Sequence, residues 1–217
     1  VSLEDAGLLA RVGVDVHPDR QLIGEPHAFD AMFEAKALRT SEDFREAYRE
    51  ARAFGKALAQ SGQGGGGGFM KNLVEQRICS SIHAGLNTVR ALLAGQTVRE
   101  EEDDGEMELS VKPGVELEAL ARLLNRLERV QSDPKLSALV YYLDREKWLG
   151  LGVIIFSQYY DTARWFAEQL AQRYPDEAIG LYAGAGRSRL YQRGDSVSCE
   201  RESLKKMVAE HQIRIMV

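Results

Sequence analysis

The sequence has few cysteines: among its 217 residues there are two, Cys79 and Cys199. Two distant cysteines cannot build a framework of disulfide bonds, and no CxxC pair is present to bind zinc. We therefore expect the protein to be located in the cytoplasm, which is a reducing environment. The histidines are also scattered without the spacing of metal ligands, so we expect no metal site. The four histidines are His17, His27, His83 and His211.

Long apolar segments are missing as well. No stretch approaches the roughly 20 consecutive apolar residues that span a bilayer. The N-terminal sequence VSLEDAGLLARVG has neither the basic start nor the apolar centre of a signal peptide. The sequence begins with Val1 instead of Met, so we expect it to be part of a longer chain. These features predict a protein that has no membrane partner.

Several catalytic motifs are absent from the sequence. It contains no GxxxxGK[ST] phosphate-binding loop, no GxSxG, no HExxH and no paired-carboxylate pattern of the kind used in acid–base catalysis. The glycines in YAGAGRS (182–188) resemble the start of a dinucleotide fingerprint, but the third glycine is missing. Ser80 and Ser81 lie close to His83, yet adjacency in sequence does not make a triad, and we interpret them as a helix face of small residues. We expect no catalytic residue in this chain.

Charge is distributed unevenly along the chain, although the net charge is only −5. The segment REEEDDGEME (99–108) has seven acidic residues against one arginine, a net charge of −6, so the remainder is close to neutral. Between Gly186 and Arg214, seven basic residues face four acidic ones. We interpret the acidic segment as a solvated, mobile loop. The net charge of the whole chain therefore does not exclude an anionic partner.

The first part of the chain has the apolar spacing of helices. Residues 28–60 repeat apolar side chains every three or four positions, and Ser41 is placed to cap a helix. The glycine-rich stretch SGQGGGGG (61–68) interrupts this pattern, and we expect it to be a flexible connection. Residues 69–95 predict one further helix, which Gly95 should end.

Two more helices are expected before the pattern changes. Residues 115–131 have an apolar stripe at helical spacing. Residues 134–149 predict the next helix, because Pro134 suits the first helical turn and Asp133 can accept hydrogen bonds from it. The chain is therefore largely helical up to this point.

The end of the chain alternates strands with helices. Short apolar runs at 153–157, 178–184 and 213–217 predict strands, and residues 161–174 and 199–211 predict the helices between them. The expected helix caps are Asp161 and Ser198. Continuous apolar strands that alternate with helices are typical of a parallel sheet. We therefore predict an α/β fold, a parallel sheet preceded by a largely helical region.

The first candidate site is the polar sequence that follows the first predicted strand. Ser157, Gln158 and Tyr159 come directly after the apolar run 153–157. In an open parallel sheet, ligands bind at the carboxyl ends of the strands, where amides at the start of the next helix can contact phosphates. The alternative is an ordinary polar turn between a strand and a helix.

The second candidate site is AGAGRSRLYQR (183–193). Its glycines permit close approach to the backbone, and Arg187, Arg189 and Arg193 provide positive charge. Cations and backbone amides hold nucleic-acid phosphates without reading sequence. The alternative is a solvated basic loop.

Five segments together resemble a known family. GVIIFSQYYDTARWFAEQL (152–170), IGLYAGAGRSRLYQRG (179–194) and SCERESLKKMVAEHQIRIMV (198–217) resemble the second RecA-like lobe of SNF2-like (superfamily 2) ATP-dependent helicases and translocases. The closest likeness is to bacterial members of this family. VEQRICSSIHAGLNTV (74–89) resembles a helix between the two lobes, and DPKLSALVYYL (133–143) resembles the helix that leads into the second lobe.

The resemblance covers residues 69–217 and implies a division of the chain. The expected parts are a helical segment (1–60, an insertion or the end of the first lobe), the flexible connection (61–68), a helical linker region (69–147) and a partial RecA-like lobe (148–217).

The resemblance implies a DNA-binding role for the polar strand ends. The implied partners are duplex DNA, through backbone contacts, and the first RecA-like lobe of the same parent protein. The residues it assigns to nucleic-acid binding are Ser157, Gln158, Tyr159, Gly184, Gly186, Arg187 and Arg189. ATP and Mg²⁺ are implied for the intact parent, but the motifs of the first lobe and those that should follow IRIMV are missing. We therefore expect this chain alone to bind neither and to hydrolyse no ATP.

Two other classes of protein stay open at this point. The chain could be a non-enzymatic interaction module, in which the helices offer a partner surface and the α/β part is a scaffold. It could also be a nucleotide-binding α/β enzyme, which would require tight nucleotide binding by the chain itself. Salt-dependent binding of DNA would separate the first alternative from the DNA-binding prediction.

Overall fold

The structure is a computed structural model that describes residues 40–60, 66–96 and 115–217. The predictions for residues 1–39, for 61–65 and for the acidic segment 99–108 lie outside these ranges. The helices are α1 (Glu42–Gln60), α2 (Gly66–Ser80), α3 (Ile82–Leu93), α4 (Val115–Arg129), α5 (Pro134–Asp144), α6 (Trp148–Leu151), α7 (Tyr160–Arg173) and α8 (Arg201–Ala209). The strands are β1 (Val153–Ile154), β2 (Ile179–Leu181), β3 (Arg189–Gln192), β4 (Asp195–Ser198) and β5 (Ile215–Met216).

Helices α1 to α4 pack around one apolar core. The apolar side chains that recur every three or four residues are the ones that become buried, as amphipathic helices require. Fully buried side chains of this core include Phe54, Leu58, Met70, Leu73, Ile78, Leu120, Leu123 and Leu127. The prediction of a largely helical region before the strands is confirmed for the described residues.

Three local signals for helix ends are confirmed. The Ser41 hydroxyl accepts a hydrogen bond from the Phe44 amide at 3.1 Å. Asp133 caps α5, whose first residue is Pro134. Gly95 follows α3 with a φ of 68°, and its amide donates to the Leu92 carbonyl at 3.1 Å. This left-handed residue ends the helix because glycine adopts positive φ without a steric cost.

The prediction of one helix over 69–95 is wrong, because the chain breaks at Ser81. Ser81 is extended, with φ −159° and ψ 156°, and its hydroxyl accepts a hydrogen bond from the Ala84 amide. Asp133 also accepts a hydrogen bond from the Ile82 amide at 2.8 Å. Two acceptors at the new helix start therefore favour two helices over one.

The glycine run is not entirely a flexible connection. Helix α2 begins at Gly66, so residues 66–68 are helical. Each glycine in a helix interior costs about 1 kcal/mol relative to alanine. The buried stripe that starts at Met70 offsets this cost, since most helical stability in proteins comes from packing.

Three further boundaries differ from the predictions. The helix expected over 134–149 ends at Asp144, because Lys147 is left-handed, with φ 62°, and a separate short helix follows. Helix α7 starts at Tyr160 with Tyr159 at its cap position, so Asp161 lies in the first turn instead of capping it. At the start of α8, Glu200 occupies the cap position without a capping hydrogen bond from its side chain, whereas Ser198 lies in β4 and pairs with Arg189.

The sheet has five strands in the order β1-β5-β2-β3-β4. Strands β1, β5 and β2 are parallel, which confirms the parallel arrangement of the three predicted strands. All three are shorter than the predicted runs. Helix α7 packs on one face against Ile215, and α8 packs near Met216 on the other. Ile215 and Met216 are adjacent in β5 and face opposite sides of the sheet, because side chains alternate along a strand.

The sheet is mixed, so the predicted parallel sheet is present only in part, as β1, β5 and β2. Strands β3 and β4 form an antiparallel hairpin in the region predicted as a basic loop. Arg193 and Gly194 connect the strands, with φ values of 53° and 84°. Positive φ at both positions is typical of the two-residue turns that match the twist of a hairpin.

Within the described ranges, none of the helices combines the length and apolar character needed to cross a bilayer.

Candidate nucleic-acid interface

The turn after β1 is shaped by its own serine. The Ser157 hydroxyl donates to the Tyr159 carbonyl at 3.0 Å and accepts from the Tyr159 amide at 3.3 Å. Such serine turns fix the backbone between a strand and a helix. Gln158, between these two residues, is exposed. The structure therefore places Ser157 mainly in a shaping role and presents the Gln158 side chain at the surface.

Tyr159 faces the helices instead of solvent. Its side chain is buried, and its hydroxyl donates to Gln76 Oε1 at 2.9 Å. The guanidinium of Arg77 lies 4.2 Å from the centre of its ring, a cation–π arrangement. Of the residues predicted to bind nucleic acid, Tyr159 thus has its side chain packed against the helices, and its backbone amide and carbonyl are hydrogen-bonded to the Ser157 hydroxyl.

The loop after β2 is closed by a buried serine. The Ser188 hydroxyl donates to the Ala183 carbonyl at 2.8 Å and accepts from the Ala183 amide at 2.9 Å. Ala185 and Gly186 have φ values of 53° and 69°. Gly184 and Gly186 are exposed, and a Cβ at either would meet nothing within 4 Å. The loop is therefore a tight turn that leaves its backbone open to a ligand.

Arg187 connects the loop after β2 to the start of α7, next to the turn after β1. Its guanidinium lies 4.2 Å from the centre of the Tyr160 ring, in the first residue of α7. The turn of Ser157 and Gln158 lies just before that residue in the chain. Because β1 and β2 are parallel, both segments follow the carboxyl ends of strands, the edge where ligands bind in open sheets. We call this surface, formed by residues 157–159 and 184–187, the strand-end surface.

Arg189 is held by the hairpin. It lies in β3, and its guanidinium donates to the Ser196 hydroxyl at 3.0 Å and to the Ser196 carbonyl at 3.2 Å. The structure therefore places Arg189 on the β3–β4 ribbon, outside the tight turn that contains Arg187.

A polar junction connects the helices to the sheet part, and sequence reasoning missed it. Thr162 in α7 brings its hydroxyl within 2.8 Å of the Ser80 hydroxyl and 2.9 Å of the Ser81 hydroxyl. Arg77, which is buried, forms an ion pair with Asp161 at 3.5 Å. We call the set formed by Arg77, Ser80, Ser81, Asp161 and Thr162 the polar junction. The serine pair was visible in the sequence, but its partner lies about eighty positions away.

Burial shifts the pKa values of two ionisable side chains near the polar junction. Burial raises the pKa of the Cys79 thiol above its ordinary value, so the sulfur is protonated at neutral pH and a poor nucleophile. Burial lowers the pKa of His83, whose ring stacks on Trp165 at a distance of 5.7 Å between centres. In the part of the chain that the structure describes, there is no group of three or more His, Cys, Asp or Glu residues that could hold a metal ion.

Comparisons of the chain with protein-family models, with curated proteins and with solved structures found no match.

Proposed function

We propose that this chain contributes DNA-backbone contacts to a SNF2-like ATP-dependent helicase or translocase, as part of a RecA-like second lobe and the helices before it. The observation that supports this most is the contact between Arg187 and Tyr160. It places a cation and an open glycine turn beside Ser157 and Gln158 at the carboxyl ends of two parallel strands.

The chemistry of the strand-end surface suits a phosphate backbone. Proteins hold nucleic-acid backbones mainly with arginine and lysine, hydroxyls, amides and backbone N–H groups. Arg187 provides a guanidinium, Gln158 an amide, and the turn around Gly184 and Gly186 an accessible backbone. Further along, Arg201 lies 4.4 Å from the centre of the Tyr182 ring and adds positive charge next to the end of β2.

In the proposed motor, this surface would grip the phosphates of one DNA strand. Closure of the lobe against the first lobe would move that grip along the strand, driven by ATP. Hydrolysis of ATP would supply the free energy for this closure, and the ATP, with Mg²⁺ on its phosphates, would be held chiefly by the first lobe. The role of the present residues is to bind and orient the backbone without reading the base sequence.

The direct test is a fluorescence anisotropy titration of a short labelled DNA duplex at several salt concentrations. We expect binding that weakens with salt, and we expect Arg187→Ala and Arg189→Ala each to reduce the affinity and the salt dependence. Arg145→Ala is the matched control, because Arg145 is exposed, follows the last residue of α5 and is not one of the residues that form the strand-end surface. Binding that neither salt nor these two variants affect would favour the interaction module instead.

A second measurement addresses the missing motor parts. We expect the 217-residue chain to release no phosphate from ATP, with or without DNA. The reason is that the sequence contains no GxxxxGK[ST] loop to cradle the phosphates. Robust ATP hydrolysis by the purified chain would contradict this expectation.

A further inference from the structure

A cleft lined by both polar and aromatic side chains lies between the helices and the strand-end surface. It has a volume of about 330 Å³ and is open to solvent. Gln76, Ser80 and Lys135 line it from α2 and α5, and Ser157 and Gln158 line it from the turn after β1. The two walls therefore come from the two parts of the molecule that the polar junction connects.

The cleft offers hydrogen-bond donors and positive charge. Because the Gln76 side-chain oxygen accepts the Tyr159 hydroxyl, its NH₂ group is the end that can donate to a ligand. Lys135 is exposed and adds an ammonium group. None of the residues that line the cleft is acidic, although Glu75 lies near Cys79 at its border. Donors and a cation without a carboxylate are the chemistry that binds phosphate.

Lys135 is held in place by the backbone. Its amide donates to Asp133 Oδ1 at 2.9 Å, which fixes the first turn of α5 beside the cleft. The ammonium group itself is not needed for that cap, so the side chain can be replaced without removing it. The position of Lys135 is therefore set by the fold, while its charge faces solvent.

We propose that this cleft binds a phosphate of the DNA backbone, held by Lys135 and Gln76 on the helical side and by Gln158 on the sheet side. The proposal rests on the proposed function and adds the helices α2 and α5 to the DNA contact. A single backbone would then contact both parts of the molecule at once. A phosphate of a free nucleotide has the same chemistry, and the experiment separates these two sources.

The experiment measures the affinity of a short labelled DNA duplex as a function of salt for the full chain and two variants. We expect Lys135→Ala to weaken binding about tenfold at low salt and to lower the slope of log K against log salt by about 0.9. We expect Gln76→Glu to weaken binding to a similar extent, because it replaces the donor with a carboxylate oxygen but keeps the acceptor for Tyr159.

Matched controls separate local effects from general loss of charge. Lys206→Ala removes an exposed lysine of α8, and Gln172→Glu adds a carboxylate near the other end of α7, and neither residue lines the cleft. Both should bind DNA within twofold of the unchanged chain. Thermal unfolding of all variants shows whether Gln76→Glu keeps the fold, and Lys135→Gln serves as a second neutral replacement.

Three outcomes would overturn the proposal in different ways. If Lys135→Ala and Gln76→Glu match their controls while Arg187→Ala weakens binding, the cleft is not a DNA site and the proposed function stands. If the unchanged chain binds no duplex, the proposed function fails as well. If Mg·ATP binds the unchanged chain, displaces the duplex and loses affinity with Lys135→Ala, the phosphate comes from a nucleotide and not from DNA.

Discussion

At the scale of single residues, Asp133 connects two helices through one carboxylate. Oδ1 accepts from the amides of Lys135 and Leu136 at 2.9 and 3.0 Å, which caps α5. Oδ2 accepts from the Ile82 amide at 2.8 Å, which caps α3. Because Asp133 is buried, these amides have no easy access to water if the carboxylate is removed.

We therefore expect Asp133→Ala to lower the free energy of unfolding by about 2–4 kcal/mol, from the lost cap and the unsatisfied Ile82 amide. Urea denaturation followed by far-ultraviolet circular dichroism measures this change. Ser132→Ala, at the exposed neighbouring position, is the control and should change stability by less than about 0.5 kcal/mol. Equal midpoints for the two variants would show that the double cap is unimportant.

We expect His83 to make the free energy of unfolding depend on pH, because its pKa is shifted in the folded protein. Burial lowers its pKa, opposed by the nearby carboxylates of Asp161 and Glu168 and reinforced by Arg164 and Arg90. In the unfolded chain, histidine titrates near its ordinary pKa of about 6.5. As the pH falls through that value, the unfolded state takes up the proton first, so the free energy of unfolding decreases.

We expect His83→Gln to remove part of the loss of stability between about pH 7 and about pH 5. Melting temperatures across this range measure the effect. His211→Asn, which replaces an exposed histidine, is the comparison variant. An identical pH dependence for His83→Gln and the unchanged chain would mean that this ring does not contribute.

At the scale of secondary-structure elements, α2 and α3 meet closely at Gly85. A Cβ at this position would lie 2.7 Å from Ile78 Cγ1 and 3.2 Å from Ile78 Cα. The first distance is shorter than any real carbon contact, and Ile78 is itself fully buried in the helical core. The break at Ser81 therefore folds α3 back against α2, and the missing side chain allows this.

We expect Gly85→Ala to destabilise the protein by about 1–3 kcal/mol, even though alanine has the higher helix propensity. Gly150→Ala in α6 is the matched control, because a Cβ there meets nothing within 4 Å. The control should be neutral or slightly stabilising, since it lowers the entropy of the unfolded chain. Urea denaturation of both variants provides the comparison, and a stabilising Gly85→Ala would contradict the close packing.

At the scale of the whole molecule, the polar junction joins the four-helix core to the sheet. Thr162 is buried, and its hydroxyl is shared by the hydroxyls of Ser80 and Ser81. Removing it leaves the half-buried Ser80 hydroxyl and the buried Ser81 hydroxyl with fewer partners, while Ser81 keeps its hydrogen bond from the Ala84 amide. The Thr162 hydroxyl should therefore contribute to the stability of the contact between the two parts, together with the ion pair of Arg77 with Asp161.

We expect Thr162→Val, which keeps the shape of the side chain, to lower the free energy of unfolding by about 1–3 kcal/mol. A double-mutant cycle with Ser80→Ala tests whether the effect passes through the shared contact. The combined loss should be smaller than the sum of the two single losses. Strict additivity would show that Thr162 and Ser80 act independently.

The candidate site was predictable in part. Short apolar runs followed by polar residues indicate where strands end, and this local pattern predicted the positions of Ser157, Gln158 and Gly184 after strands. The contact of Arg187 with Tyr160 and the burial of Tyr159 did not follow. They depend on which helix packs beside the strand ends, and no local pattern contains that information.

The fold shows the same division between local and long-range causes. The caps at Ser41 and Asp133 and the helix end at Gly95 were determined by the sequence alone, because each hydrogen bond joins residues within one turn. The break at Ser81 was decided by the tertiary structure, since one of its two acceptors comes from Asp133, 51 positions away. Apolar spacing specifies that helices and strands form, whereas their ends and polar contacts depend on partners that only packing brings together.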